Sequence, residues 1–200
     1  MLLDVTLPRL RWDTLNPFPP PVEELWVEVG FGGGEHPRAQ IAVNPRAGLI
    51  ACEVFEQGLC SLLSALVPEG GEAAGALPDN LRIWPDDARA LLRQLPEASV
   101  SRLFLMFPDP WPKARHAKRR FVHPDTLALV ASRLKPGAQW RVATDDPTYQ
   151  AWVAEVMARQ TLFDTPPAAT ARPHDWPPTR YEAKAIAAGR SPLYWVITRI

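Results

Sequence analysis

Asp109 lies in Phe107-Pro108-Asp109-Pro110-Trp111-Pro112-Lys113, where prolines on both sides of one carboxylate fix φ and withhold backbone donors. Lys113, Arg115, Lys118, Arg119 and Arg120, with His116 among them, then crowd into residues 113–120. An acid held rigidly beside so dense a run of cations suits chemistry on a polyanion. Upstream, the apolar run Leu25-Trp26-Val27-Glu28-Val29 ends in Gly30-Phe31-Gly32-Gly33-Gly34, and a helix is predicted from Glu35 to Ile41. A strand, a glycine turn and a helix make half of a βαβ nucleotide site, in which a ligand approaches bare backbone at a helix N-terminus. A second predicted strand, Leu49–Cys52, delivers Glu53 at the spacing where an acid bonds ribose hydroxyls.

Charge decides what such a turn would hold. The glycines follow G-x-G-x-G rather than G-x-G-x-x-G, and Glu28 places a negative charge at the turn. That charge repels a pyrophosphate and attracts the sulfonium and ammonium of S-adenosylmethionine, which keeps the adenosine of a dinucleotide but carries no phosphate.

Elements of alternating type are needed to bring these residues together. Beyond the first two strands, strands are predicted at Leu81–Trp84, Ser101–Phe107 and Gln139–Ala143. Helices are predicted from about Phe55 to Leu66, from Ala88 through Leu91 and Leu92, over Pro124–Leu134 with a stop at Pro136-Gly137, and over Pro147–Met157. Strand and helix in alternation imply an α/β fold with a mostly parallel sheet, whose ligands bind at the carboxyl ends of the strands. Glu28, Glu53, Asp87, Asp109 and Asp145 all fall at such ends. Asp86, Asp87 and Asp146 are also favoured helix N-cap types, so capping stays open as a role for each. After a Pro-rich connector at 166–178, Thr179–Lys184 reads as a strand forming an antiparallel hairpin with Leu193–Arg199, with Arg180, Glu182 and Lys184 on one face and Tyr181 on the other.

The chain of 200 residues, 46% hydrophobic, is long enough for one core, and a single domain over residues 1–200 with an N-terminal extension at 1–22 is expected. No apolar run reaches the length of a membrane span and the N-terminus lacks a signal-peptide layout, so a cytoplasmic protein without membrane association is expected. Cys52 and Cys60 read as packed thiols of a reducing compartment, and neither they nor His36, His116, His123 and His174 show metal-ligand spacing. No feature points to an obligate protein partner. The formal net charge is zero, yet the cations at 113–120 are concentrated while the acids are dispersed, and a local basic stripe is enough for phosphate contacts.

Val-Glu-Val-Gly-Phe-Gly at 27–32, Cys-Glu-Val-Phe-Glu at 52–56, Leu-Met-Phe-Pro-Asp-Pro-Trp-Pro-Lys at 105–113, Lys-Arg-Arg-Phe at 118–121, Ala-Thr-Asp at 143–145 and Asp-Trp-Pro-Pro-Thr-Arg-Tyr-Glu at 175–182 resemble the bacterial tRNA (guanine-N(7))-methyltransferases. The resemblance runs from about residue 23 to the C-terminus. It implies a Rossmann-like class I methyltransferase that uses S-adenosylmethionine to methylate N(7) of a variable-loop guanine, at position 46 of tRNA. It further implies cofactor binding by Glu28, Gly30, Gly32, Glu53, Asp87 and Asp109, with Asp87 preferred to Asp86, and a catalytic role for Asp109. RNA or guanine binding is implied for Lys113, Arg115, His116, Lys118, Arg119, Arg120, Asp145, Thr179, Arg180, Tyr181 and Glu182. Trp111 and Tyr181 are candidates to stack on an extruded base. Residues 1–22 hold only Arg9 and Arg11 as cations, so contacts from a basic N-terminal arm are not expected. A class I methyltransferase of another RNA, a small molecule or a protein would share the cofactor site and differ at 113–120 and 179–182.

Overall fold

Strands β1 (Glu24–Val29) and β2 (Ala47–Cys52) are buried along nearly their whole length, as parallel strands covered on both faces must be. They belong to a computed structural model that describes residues 18, 22–67 and 78–200. Arg9 and Arg11 of the expected N-terminal extension, and most of the loop read at 68–79, lie outside the described residues. The described chain divides between Pro96 and Glu97 into two compact units.

In the first unit β1 is followed by α1 (Glu35–Val43), β2, α2 (Glu56–Leu66), β3 (Leu81–Trp84) and α3 (Ala88–Gln94). The strands lie in the order β3-β2-β1, both pairings parallel. Val29 sits opposite Cys52 and Cys52 opposite Trp84, so the three strands end level and the acids that follow emerge on one edge. Val27, Leu49, Ile50, Leu62 and Leu91 form the fully buried centre. Phe18 is buried against β2, with the guanidinium of Arg82 5.0 Å from its ring centroid.

The second unit contains β4 (Val100–Met106), a 3-10 helix (Ala114–Arg119), α4 (Pro124–Arg133), β5 (Leu134–Thr144), α5 (Pro147–Ala158), β6 (Phe163–Asp164), α6 (Arg180–Ala187) and β7 (Leu193–Arg199). Its strand order is β4-β5-β7-β6. β4 and β5 are parallel, whereas β7 is antiparallel to both β5 and β6. Trp140, with Phe121 and Phe163 against its ring at 6.0 and 5.8 Å, anchors the core together with Phe104 and Tyr149. The fold is therefore the expected Rossmann-like α/β arrangement, mostly parallel with an antiparallel C-terminal pair. Among the described residues no helix is long and apolar enough to cross a membrane.

Two local expectations need correction. α4 ends at Arg133, and Pro136-Gly137 falls inside β5, where Gly137 (φ +78°) accompanies a register shift opposite Val100–Arg102. Buried Leu134 turns extended because it pairs with Val100 at once, so the Pro-Gly pair makes a bulge rather than a helix stop. Thr179–Lys184 is not a strand. It enters α6, with Thr179 as N-cap, and the buried members Glu182 and Ala185 are spaced three apart, as a helix face requires. The antiparallel partners of β7 are β5 and β6 instead.

A Cβ at Gly48 would lie 2.2 Å from Cδ2 of Phe18, deep in a packed ring. Gly48→Ala should therefore destabilise the fold by about 1–3 kcal/mol in urea denaturation. The same change in a Phe18→Ala background should cost far less, because the displaced ring is absent.

Candidate functional site

The glycine turn after β1 holds Gly30, Gly32 and Gly34 at φ of +70°, +58° and +83°, a left-handed path that side chains rarely follow. A Cβ at Gly30 would meet nothing within 4 Å, so its backbone borders open space. Glu53, buried at the end of β2, fastens this turn: its Oε2 accepts from Gly32 N at 2.8 Å, and its Oε1 accepts from Val54 N at 2.8 Å and Phe55 N at 3.0 Å. α2 presents Gly58 to this junction because a Cβ there would stand 2.6 Å from the Gly32 carbonyl and 2.9 Å from Glu53 Cγ.

Glu28 is 1% exposed and accepts from His36 Nδ1 at 2.9 Å, across the turn on α1. Gln40 Nε2 faces the other ring nitrogen at 3.3 Å, and Asn44 Nδ2 faces Gln40 Oε1 at 3.3 Å, so a chain of amides orients the imidazole. With Gln40 donating at Nε2, the ring donates to Glu28 from Nδ1. Asp87 caps α3, accepting from Arg89 N at 2.7 Å, and meets the Arg89 guanidinium at 3.1 Å. Asp86 accepts from Asp87 N at 2.6 Å, which leaves Asp87 as the capping residue of the pair. Burial pushes the Cys52 thiol well above its ordinary pKa, and the charges of Glu28, Asp87, Glu53 and Asp86 raise it further. With the three strand ends level, these carboxylates share one edge and make its field negative. An open glycine backbone, an acid at ribose spacing and that field fit a nucleoside with a cationic end and oppose a pyrophosphate.

In the second unit, Phe107 N donates to Ala143 O at 2.8 Å, and the chain then leaves β4 for the Pro-rich loop. Phe107 (φ +52°) and Trp111 (φ +45°) bracket exposed Asp109, for which no hydrogen bond or ion pair is found among the described residues. Lys113, Arg115, Lys118 and Arg119 are exposed along the 3-10 helix and its entry. Arg119 lies 4.6 Å from the Trp111 ring centroid and His116 meets that ring edge-on at 5.8 Å, so the stacking candidate Trp111 already carries a cation. Arg120, expected at the RNA, is 5% exposed, with its guanidinium turned inward on the Pro110 and Trp111 carbonyls.

Asp145, directly after β5, accepts from Arg190 Nε at 2.8 Å. Asp146 is the N-cap of α5, accepting from Tyr149 N at 2.9 Å. The 175–182 block is mostly occupied by structure. Asp175 pairs with buried Arg141 at 2.7 Å, and although burial pushes its carboxyl up, the charge and hydrogen bond of Arg141 hold it below the usual range. Thr179 Oγ1 accepts from Glu182 N at 3.1 Å. Buried Glu182 accepts from the Tyr194 hydroxyl at 2.6 Å and Arg172 Nε at 3.0 Å. Thr179 and Glu182, expected at the RNA, thus have buried partners within the chain. Arg180 and Tyr181 remain on the surface, with the Arg180 guanidinium 5.2 Å and the Lys184 ammonium 6.0 Å from the tyrosine ring.

A family model described as "Putative methyltransferase" matches residues 23–193. The tRNA (guanine-N(7)-)-methyltransferase of Granulibacter bethesdensis is 63% identical to this chain, covering 99% of it and 87% of the relative. The protein of the same name from Paramagnetospirillum magneticum is 46% identical over 99% of this chain and 85% of its own. The chain belongs to the tRNA (guanine-N(7)-)-methyltransferase family. Among solved structures, the 16S rRNA methyltransferase KamB has a TM-score of 0.59 at 18% identity, covering 90% of this chain and 88% of its own. A 16S rRNA adenine methyltransferase from Catenulisporales acidiphilia, solved with its cosubstrate SAM, has a TM-score of 0.55 at 14% identity, covering 90% and 86%. At such identities these two attest to the fold of the methyltransferase.

Sequence reasoning missed several residues that shape this methyltransferase. His36 has no motif of its own; only the fold brings it to Glu28. Thr179-x-x-Glu182 did carry a signal, since a Thr followed three residues later by Glu is a helix-start pattern. Burial, together with the hydrogen bond and charge of Glu182, pushes the Tyr194 phenol above its usual pKa. The stability this confers is whole below about pH 10 and is lost as pH rises further, because the unfolded chain releases the proton first. Urea midpoints from about pH 8 to 11 should therefore fall at the alkaline end, and Tyr194→Phe should flatten that fall.

Proposed function

We propose that this chain transfers the methyl group of S-adenosylmethionine to N(7) of a guanine in tRNA, in the variable loop at position 46, and that it works in the cytoplasm. The observation that carries the reading is the open glycine turn fastened by buried Glu53 beside buried Glu28 at the strand ends of the first unit. The second unit adds exposed Asp109, for which no partner is found among the described residues, and an exposed cationic 3-10 helix. When bound, S-adenosylmethionine supplies an electrophilic methyl on a sulfonium. Glu53 would take the ribose hydroxyls, with exposed Val54 and Phe55 beside it as an apolar surface for adenine. The charge of Glu28 favours the cationic end, Gly30 and Gly32 admit close approach of backbone, and Asp87 and Asp109 complete the cofactor set.

Guanine N(7) bears a lone pair and no proton, so no residue need act as a base to create the nucleophile. Catalysis then rests on alignment and on charge. Positive charge passes to the purine ring as the methyl moves, and the fixed carboxylate of Asp109 stabilises it or accepts hydrogen bonds from N(1) and the exocyclic amine of guanine. Asp145 is a second acceptor for that edge. Lys113, Arg115, Lys118 and Arg119 hold the phosphates, with His116 beside them, while Arg180 and Tyr181 offer a cation and a stacking surface.

Transfer of labelled methyl to bulk tRNA, followed by mapping of the modified base, tests the reading. A 7-methylguanosine in the variable loop is expected, and methyl on another base or on no RNA would overturn it. Asp109→Asn keeps the shape and loses the charge, so its single-turnover rate should fall by roughly 10²–10³-fold with tRNA still bound. Between about pH 6 and 9 the wild-type rate should show no limb that this substitution abolishes. Changing Arg115 and Lys118 together to Ala should lower the salt slope of tRNA binding by roughly 1–2 while cofactor affinity, read by calorimetry, stays at the wild-type value.

A further inference from the structure

The proposed chemistry does not use the buried guanidinium of Arg120, yet that group touches the loop on which the chemistry depends. Phe107 and Trp111, at φ of +52° and +45°, occupy a region that residues with a Cβ adopt only when their surroundings compel it. Pro108, Pro110 and Pro112 have no N–H, so the segment carrying Asp109 is short of backbone donors with which to close on itself. Arg120 supplies donors from outside. Its Nε donates to the Pro110 carbonyl at 3.1 Å and its Nη2 to the Trp111 carbonyl at 2.9 Å. Two adjacent carbonyls received on one planar fork is a geometry that suits the fixed N–H groups of a guanidinium better than an ammonium on a flexible stem.

The fork is itself held from behind. Its carbon lies 4.7 Å from the ring centroid of Trp152 on α5. Trp152 Nε1 donates to Val122 O at 2.5 Å, and Val122 N donates to the Tyr149 hydroxyl at 3.3 Å, so the same helix grips the chain just past Arg120. α5 starts from its cap at Asp146, one residue after Asp145. One brace therefore runs from the Asp109 loop through Arg120 and Trp152 to the helix that begins beside Asp145.

We infer that Arg120 is a positioning residue: it holds the Pro-rich loop in its left-handed path and sets the Asp109 carboxylate relative to Asp145, and it is not one of the phosphate contacts of the basic stripe. The inference rests on the catalytic reading of Asp109 given above. Buried, and with two loop carbonyls among its partners, the guanidinium contributes aim rather than surface charge.

Arg120→Lys separates these roles because it keeps the charge and loses the fork. Its single-turnover methylation rate, at saturating tRNA and cofactor, should fall roughly 10- to 100-fold with an unchanged salt slope for tRNA binding. In an Asp109→Asn background the same substitution should cost little more, since the carboxylate it aims has lost its charge. A wild-type rate for Arg120→Lys, or a salt slope lowered by about one unit in Arg120→Ala beside a fast lysine variant, would assign Arg120 to phosphate and overturn the inference. An equal loss with and without the Asp109 charge would also overturn it, by making Arg120 a general support of the fold. A slow Asp109→Asn beside a fast Arg120→Lys rejects this inference alone, whereas a fast Asp109→Asn rejects the catalytic reading and the inference together. Should Arg120→Lys fail to fold, Trp152→Phe keeps an aromatic face for the Arg120 guanidinium but loses the Nε1–H bond to Val122 and part of the indole; a slower rate with unchanged salt slope is expected, and a wild-type rate overturns the brace.

Discussion

A carboxylate taken out of water must find donors in the protein, and that constraint shapes both units. Glu28, Glu53 and Glu182 are each nearly inaccessible. Glu53 is compensated by backbone N–H groups of the glycine turn and of its own strand end, so the anion and the turn define each other. Glu28 meets the imidazole of His36, which is kept in place by Gln40. Glu182 instead meets a guanidinium and a phenol, and its charge is spent within the fold. Similar residues at comparable burial thus have different partners: backbone N–H groups and an imidazole in the first unit, a guanidinium and a phenol in the second.

The same logic divides the cations. Arg115 and Lys118 point outward from a short 3-10 helix that has no buried residue, as the phosphate contacts proposed for them require. Arg120, immediately after that helix, is inside. Arg141 is likewise buried, pairing with Asp175 and lying 5.4 Å from the Trp176 ring centroid, and so fastens the C-terminal segment to β5. A basic run is therefore not one structural unit: most of its members face solvent, whereas Arg120 packs inside.

Strain and rigidity meet at Asp109. Its neighbours are left-handed without being glycine and its flanking prolines cannot donate, so the loop is specified by its environment more than by its own sequence. A site that works through charge placement benefits from such over-determination, because a preformed carboxylate has little reorganising to do when positive charge develops nearby.

The order of strands and helices, the glycine turn and the acids at the strand ends were legible in the residues, since period, turn type and spacing are local properties of the chain. Local pattern failed where one segment satisfied two readings. Thr179–Lys184 alternates as a strand would, but the Thr-x-x-Glu start and the burial of Glu182 against Tyr194 select the helix. Pro136-Gly137 resembles a helix stop, but the pairing of Leu134 with Val100 makes it a bulge. The sequence by itself determined the family, the α/β class and which residue types gather at the carboxyl edge. Only the tertiary structure decided which of them face outward: His36 reaches Glu28 across a turn, Arg120 turns inward onto the Asp109 loop, and Glu182 is closed off by Tyr194 from another element. Direction and burial depend on contacts between distant segments, and no local spacing encodes them.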